Sequence, residues 1–129
     1  MTPPTITVVA AVVEERGLFL LTQRQPGTHL AGCWEFPGGK RHEGETLEEA
    51  LTRELVEELA VRPLDARHVF ETAHEYPDRI VRLHFFRCRL AGTPRAVLGQ
   101  EIRWVAREGL ADLQFPPADA EFVATLTRR

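Results

Sequence analysis

The chain has 129 residues, enough to bury one core, and its 43% hydrophobic and 27% charged content excludes disordered and collagen-like classes. A net charge of −3 excludes the basic stripe that a DNA or RNA polymer needs, but leaves room for a small anion held by an arginine or two and a divalent metal. Cys33 and Cys88 lack CxxC or zinc-like spacing, and the longest apolar run, Val8 to Val13, is too short for a membrane span.

That run lacks the basic start of a signal peptide and is followed at once by Glu14, Glu15 and Arg16, so a soluble cytoplasmic protein with reduced thiols and no membrane partner is expected. No repeat or linker divides the sequence, which reads as a single domain over residues 1–129. Ile6 to Val13, β-branched and apolar, predicts a buried strand. Glu14 to Gly17 reads as a polar turn, with Leu18 to Thr22 as the hairpin partner. Pro26 to Gly32, with its proline and glycines, reads as a loop.

Thr46 and Glu49 have the spacing of a capping box, in which each side chain satisfies the other residue's free backbone N–H. From Leu47 to Leu59 no glycine or proline interrupts good helix formers, so one helix is expected, ended by Arg62-Pro63. Val69 to His74, Ile80 to Leu90 and Ile102 to Val105 predict strands, and Pro117 or Ala118 to Leu126 a second helix. Strands segregated around two helices imply an α+β sandwich on a mixed sheet. Trp104, Phe85 and Phe86 are expected in the core or a pocket wall.

A helix advances about 100° per residue, so with Glu54 at zero, Glu57 falls near about −60° and Glu58 near about +40°. Leu51, Leu55, Val56 and Leu59 occupy the neighbouring arc and are expected to face the core. Like charges so placed repel by a few tenths of a kcal/mol per i,i+4 pair in water, whereas Mg²⁺ or Mn²⁺ reverses the sign, because hard cations prefer carboxylate oxygens and bridge to phosphates. An acidic helix face alone is usually only solvated. Here Gly38-Gly39, following Glu35-Phe36-Pro37, adds a segment whose backbone can approach a ligand closely.

The residues run Gly39, five residues, Glu45, seven residues, then Arg53-Glu54-Leu55-Val56-Glu57-Glu58-Leu59-Ala60-Val61. This pattern resembles the Nudix box, here over residues 39–61, at every fixed position except Ala60, where the box has glycine. Beyond the box the chain is similar to the MutT branch of that family, the 8-oxo-dGTP diphosphatases. The likeness is carried by Arg24, by His29-Leu30-Ala31-Gly32, by Trp34 through Lys40, by Tyr76-Pro77-Asp78-Arg79 and by Phe115-Pro116-Pro117-Ala118-Asp119.

The resemblance implies a Nudix fold, an α/β/α sandwich with a mixed central sheet, and a metal-dependent nucleoside triphosphate pyrophosphohydrolase. Its leading substrate would be 8-oxo-dGTP, cleaved to 8-oxo-dGMP and pyrophosphate. It further implies that Glu54, Glu57, Glu58 and the Gly38 carbonyl hold Mg²⁺ or Mn²⁺, and that Glu54 activates water. Arg53 would orient the glutamates (or form only a surface ion pair with Glu49 or Glu57), and Glu45 would support that arginine or merely begin the helix. Arg24 and His29 would contact nucleotide or phosphate, His29 alternatively being an ordinary loop histidine. Glu35, Phe36, Pro37 and Gly38 would line the base and sugar side. Tyr76 to Arg79 would contact the base, chiefly through Arg79, or form a plain proline turn. Attack at the β phosphorus is implied by the likeness; the residues themselves leave α and β open. A monomer or weak dimer is expected.

Two departures bear on substrate. The branch has a further acidic metal-associated residue in the loop before Trp104, where this chain aligns Leu98; Glu101 is the nearby substitute if the loop shifts. Asp119 stands where the branch reads the base with asparagine, and an ionised aspartate only accepts hydrogen bonds. Hydrolysis of CTP or a modified pyrimidine nucleotide is therefore the alternative within the enzyme class. A non-catalytic nucleotide-sensing module is the alternative outside it, against which stand the intact Arg53, Glu54, Glu57 and Glu58.

Overall fold

A computed structural model describes residues 2–128. Its centre is β1 (Thr5–Val12), whose side chains alternate between two cores. Ala10 and Val12 enter one with Phe19, Leu21, Phe85 and Phe122; Val9, Ala11 and Val13 enter the other with Leu20, Leu51, Leu55 and Leu59. A strand buried on both faces has no polar alternation, which is why its sequence is a continuous β-branched and apolar run.

Around β1 the chain builds two sheets. The expected hairpin is displaced: Leu18–Gln23 (β3) pairs not with β1, which lies in the other sheet, but with Glu14–Glu15 (β2), read from the sequence as part of the turn, which shrinks to Arg16 at φ 53° and Gly17 at φ 79°. β4 (Trp34–Glu35) and β8 (Ile102–Ala106) both pair with β3. The second sheet has the order β5-β1-β7-β6, with β5 (Gly38–Lys40), β6 (Pro63–Tyr76) and β7 (Arg79–Leu90). It is mixed, since β1 runs parallel to β7 while β1–β5 and β6–β7 are antiparallel. Helix α1 (Leu47–Leu59) covers one face and α2 (Pro117–Thr127) the other, giving the α/β/α arrangement.

The expected capping box is present: Glu49 N–H donates to Thr46 Oγ1 at 3.0 Å and Thr46 N–H donates to the Glu49 carboxylate at 2.8 Å. Leu51, Leu55 and Leu59 are fully buried, each stabilising the fold by about 1.5–3 kcal/mol relative to exposure. Val56 departs from the expectation. It is 42% exposed, because the apolar stripe of α1 is narrower than four residues and the next arc already faces solvent. The helix stops at Ala60, which takes the left-handed conformation at φ 57°, ψ 33° in place of glycine.

The strand expected from Val69 begins six residues earlier, at Pro63. Register shifts between Leu64 and Arg67 and between His68 and Phe70, with Asp65 at φ 54°, break the period of two that would have marked it. Pro77-Asp78 is the hairpin turn between β6 and β7, as the plain-turn reading had it. Cys33 and Cys88 are buried free thiols, and Phe85 and Phe86 are core residues. No helix among the described residues is long and apolar enough to cross a membrane.

Candidate active site

The fold opens a cavity of about 250 Å³ between the edge of β1–β5, helix α1 and the start of α2. Among its lining residues are Arg24, His29, Glu35, Phe36, Gly38, Glu54, Glu58, Arg79 and Asp119, so residues from five segments of the chain meet there. The Nudix-box loop contributes backbone. A methyl at Gly38 would land on the Val9 carbonyl oxygen, and one at Gly39 on the Glu54 carboxylate. Only glycine lets β5 pair with β1 while Glu54 lies flat against it.

Arg53 organises the acidic end. Its Nε donates to Glu45 Oε2 at 2.7 Å and one terminal nitrogen to Glu45 Oε1 at 3.0 Å and to the Lys40 carbonyl at 2.7 Å. The other terminal nitrogen donates to Glu54 Oε1 at 2.9 Å and Glu57 Oε2 at 3.3 Å. The planar fork thus ties three glutamates and the β5 backbone together, which a simple i,i+4 ion pair does not do. Glu45 also accepts from His42 N–H at 2.7 Å, and its hydrogen bonds to Arg53 hold its carboxyl down near about 2. Those bonds in turn raise the Arg53 guanidinium above its usual value.

The acids differ in setting. The Glu54 side chain is 13% exposed, and burial raises its pKa against the pull of Arg53. Glu58 is pushed up to about 8 by desolvation, then by Glu54 and Glu35, with the Gly38 N–H opposing. Glu57 stays 56% exposed, outside the cavity lining, one turn along the same helix.

The opposite end of the cavity is aromatic and mixed. Phe36 is buried, stacked on Phe115 with centroids 5.9 Å apart and edge-on to Phe85 and Phe122. Glu35 pairs with Arg24 at 3.1 Å, yet desolvation still raises its carboxyl. Arg24 Nε also donates to the His29 carbonyl, while the His29 ring meets Tyr76 edge-on at 5.2 Å. Asp119, in the first turn of α2, is 6% exposed; desolvation and then the Glu35 charge raise its pKa well above the ordinary 3.8, against the pull of Arg24.

Four expected site residues lie outside the lining: Arg53 and Glu57, which are tied to Glu54 from behind, and Pro37 and Glu101, which are not brought in. Pro37 is buried behind the cavity, its carbonyl accepting from Ala11 N–H at 2.7 Å. Glu101 is exposed, its main chain bonded to Gln23 and its carboxylate nearest Arg103 at 3.8 Å. The loop instead presents Gln100, which is buried and donates to the Glu58 carbonyl at 3.0 Å. Gln100 carries no sequence signal, since an isolated loop glutamine looks solvent-directed. Tyr76 belongs to the cavity wall and accepts from Ala118 N–H at 3.3 Å, although it also opens the turn.

A glycine-backed strand facing a helix with an arginine-organised glutamate cluster defines a class. Residues 8–125 match the NUDIX domain family, and the chain belongs to the Nudix hydrolases. Within them it is 41% identical over 123 residues to the 8-oxo-dGTP diphosphatase of Haemophilus influenzae, spanning 94% of this chain and 90% of that one. It is also 37% identical over 115 residues to the CTP pyrophosphohydrolase of Escherichia coli, spanning 88% of this chain and 85% of that one. The solution structure of the E. coli ORF135 protein superposes with a TM-score of 0.82 at 35% identity, covering 94% of this chain and 87% of that one.

Proposed function

We propose that the chain is a metal-dependent nucleoside triphosphate pyrophosphohydrolase that acts on 8-oxo-dGTP, releasing 8-oxo-dGMP and pyrophosphate and so cleansing the nucleotide pool. The observation that carries this is the split character of one cavity, with crowded glutamates at one end and a buried aromatic wall with the buried Asp119 at the other.

The donor set at the acidic end fits Mg²⁺ or Mn²⁺. Glu54 and Glu58 crowd together with raised pKa values, and a hard cation relieves that repulsion. Glu54, Glu58, the Gly38 carbonyl and Glu57 from the exposed side would hold it. When bound, the ion neutralises phosphate oxygens and acidifies a coordinated water. Glu54, fixed by Arg53 and by the β5 backbone, takes the proton from the attacking water. Arg24, His29 and Arg79 line the same cavity and would neutralise or position the phosphate chain.

The base end reads tautomers. Guanine offers two acceptors on its O6 and N7 edge, whereas 8-oxoguanine carries N7–H beside O6, an adjacent donor and acceptor. Burial favours the protonated form of Asp119, which would offer one O–H donor and one free acceptor oxygen, matching the oxidised base and mismatching guanine. This restores the pattern of the amide it replaces. Cytosine, with its N4–H₂ donor beside N3, offers the same pair, and the E. coli CTP pyrophosphohydrolase is a relative, so cytosine nucleotides are the second reading.

The test is kcat/KM for 8-oxo-dGTP, dGTP, dCTP and CTP with Mg²⁺, in wild type and Glu54→Gln. Selectivity for 8-oxo-dGTP and collapse of turnover in the variant are expected. A cytosine preference overturns the guanine assignment, and equal rates in both proteins overturn catalysis by this cluster. Label from ¹⁸O-water entering the monophosphate marks attack at α; label in pyrophosphate marks attack at β.

A further inference from the structure

A second chemistry-bearing cluster lies outside that cavity, on the β6–β7 hairpin. His84 on β7 is 9% exposed and faces the α1 side of the sheet, with Glu71 directly opposite it on β6. His68 stands three positions before Glu71, which in a regular strand puts the two on opposite faces. The register shift between His68 and Phe70 adds one residue and turns His68 back onto the face of Glu71 and His84.

His68 Nε2 is 3.0 Å from His84 Nδ1, and His84 Nδ1 is 3.7 Å from Glu71 Oε1. The three ligand atoms all fall within 4.8 Å of one another. Donors bound tetrahedrally at the usual zinc distances are about 3.3 Å apart, which the two measured separations bracket. We propose that His68, Glu71 and His84 bind one divalent transition-metal ion of the zinc class, which staples β6 to β7 apart from the hydrolytic cavity.

The local chemistry agrees. Burial lowers the His84 pKa and Arg82 lowers that of Glu71, the directions that favour a neutral imidazole and an ionised carboxylate. Arg82 occupies Glu71 Oε2 at 2.9 Å, which leaves Oε1 toward the histidines and fixes the carboxylate as an outer partner does. The charges facing His84 are Glu71, Arg82 and Arg41, besides the imidazole of His68. Two imidazoles and one carboxylate prefer Zn²⁺, Ni²⁺ or Cu²⁺ to Mg²⁺. Gly39, Val9 and His84 are cross-strand neighbours, so the cluster lies two strand spacings, about 10 Å, from the Glu54 platform. The inference is therefore independent of the hydrolytic assignment.

The test is Zn²⁺ titration by calorimetry under saturating Mg²⁺, with Co²⁺ absorption as the ligand signature, on wild type, His68→Gln, His84→Gln and Glu58→Gln. Wild type and Glu58→Gln should each bind one Zn²⁺ that both histidine variants bind more than about 100-fold more weakly, since a direct ligand outweighs an outer-shell partner. The intense visible bands of low-coordinate Co²⁺ and the Zn²⁺-induced rise in Tm should vanish with them. Mg²⁺-driven hydrolysis by His68→Gln should stay at the wild-type rate. His68 is exposed, so that variant decides the matter if His84→Gln fails to fold. Identical Zn²⁺ stoichiometry and affinity in wild type and His68→Gln, or no Zn²⁺ uptake by wild type, would show that the two rings share only a hydrogen bond.

Discussion

Replacing Ala60 with glycine should make the protein more stable. Ala60 ends α1 in the left-handed region at φ 57°, ψ 33°, with its backbone N–H donating to the Val56 carbonyl at 3.1 Å. A non-glycine residue there loses about 1–2 kcal/mol to the clash of its Cβ with the neighbouring carbonyl. Glycine removes the clash but gives the unfolded chain more freedom, which costs about 0.4–1 kcal/mol. The Ala60 side chain is exposed, so no packing is lost, and the net gain is about 0.5–1 kcal/mol. For a chain of this size that corresponds to a rise in Tm of roughly 2–5 °C. Ala60→Val supplies the opposite sign, because a β-branched residue tolerates that backbone less well than alanine. Urea denaturation followed by circular dichroism measures both. An Ala60→Gly protein no more stable than wild type, or Ala60→Val as stable as wild type, would refute a left-handed helix stop at this position.

Gly39→Ala should leave the fold intact but displace the Glu54 carboxylate it faces, lowering kcat far more than Tm; unchanged kcat would separate Glu54 from the chemistry. Glu45, held near about 2 against an ordinary 4.5, contributes stability that is full above the unfolded value and lost as pH falls through the folded one. Glu45→Gln should therefore flatten the acid limb of stability against pH, which denaturant midpoints from neutral pH downward will show. Asp119 has the opposite sign. Its raised folded pKa means wild type loses stability as pH rises above 3.8, because the unfolded chain ionises while the folded one keeps its proton. Asp119→Asn should gain on wild type steadily across that rise while keeping the preference for 8-oxo-dGTP over dGTP; a pH-independent stability difference would mean Asp119 is ionised when folded.

The parts of the fold that the sequence made legible are those with local rules. Thr46 and Glu49 marked the start of α1, and the run Ile6 to Val13 marked a strand buried on both faces. The start of β6 was hidden because its bulges destroy the alternation on which recognition depends, and Val56 was misplaced because periodicity gives direction but not the width of the buried stripe. In the site, the glutamates and their arginine were legible because their spacing is that of a single helix. The meeting of Glu35 with Asp119, and of Gln100 with Glu58, depends on segments that pack together from far apart in the chain. The upward shift of the Asp119 pKa follows from that packing, so no reading of its neighbours in sequence gives it.

The central place of β1 has a consequence for how the chain comes into being. Within this fold the earliest strand in chain order pairs along its whole length with β7, some seventy-five positions later, while β5 and the glutamate helix hang from its other edge. Until residue 87 has left the ribosome, β1 has one bare edge, and the apolar face that α2 covers stays open longer still, a surface prone to recruit another nascent strand. A fragment stopping before Arg79 would carry the entire box, yet nothing to hold its platform flat.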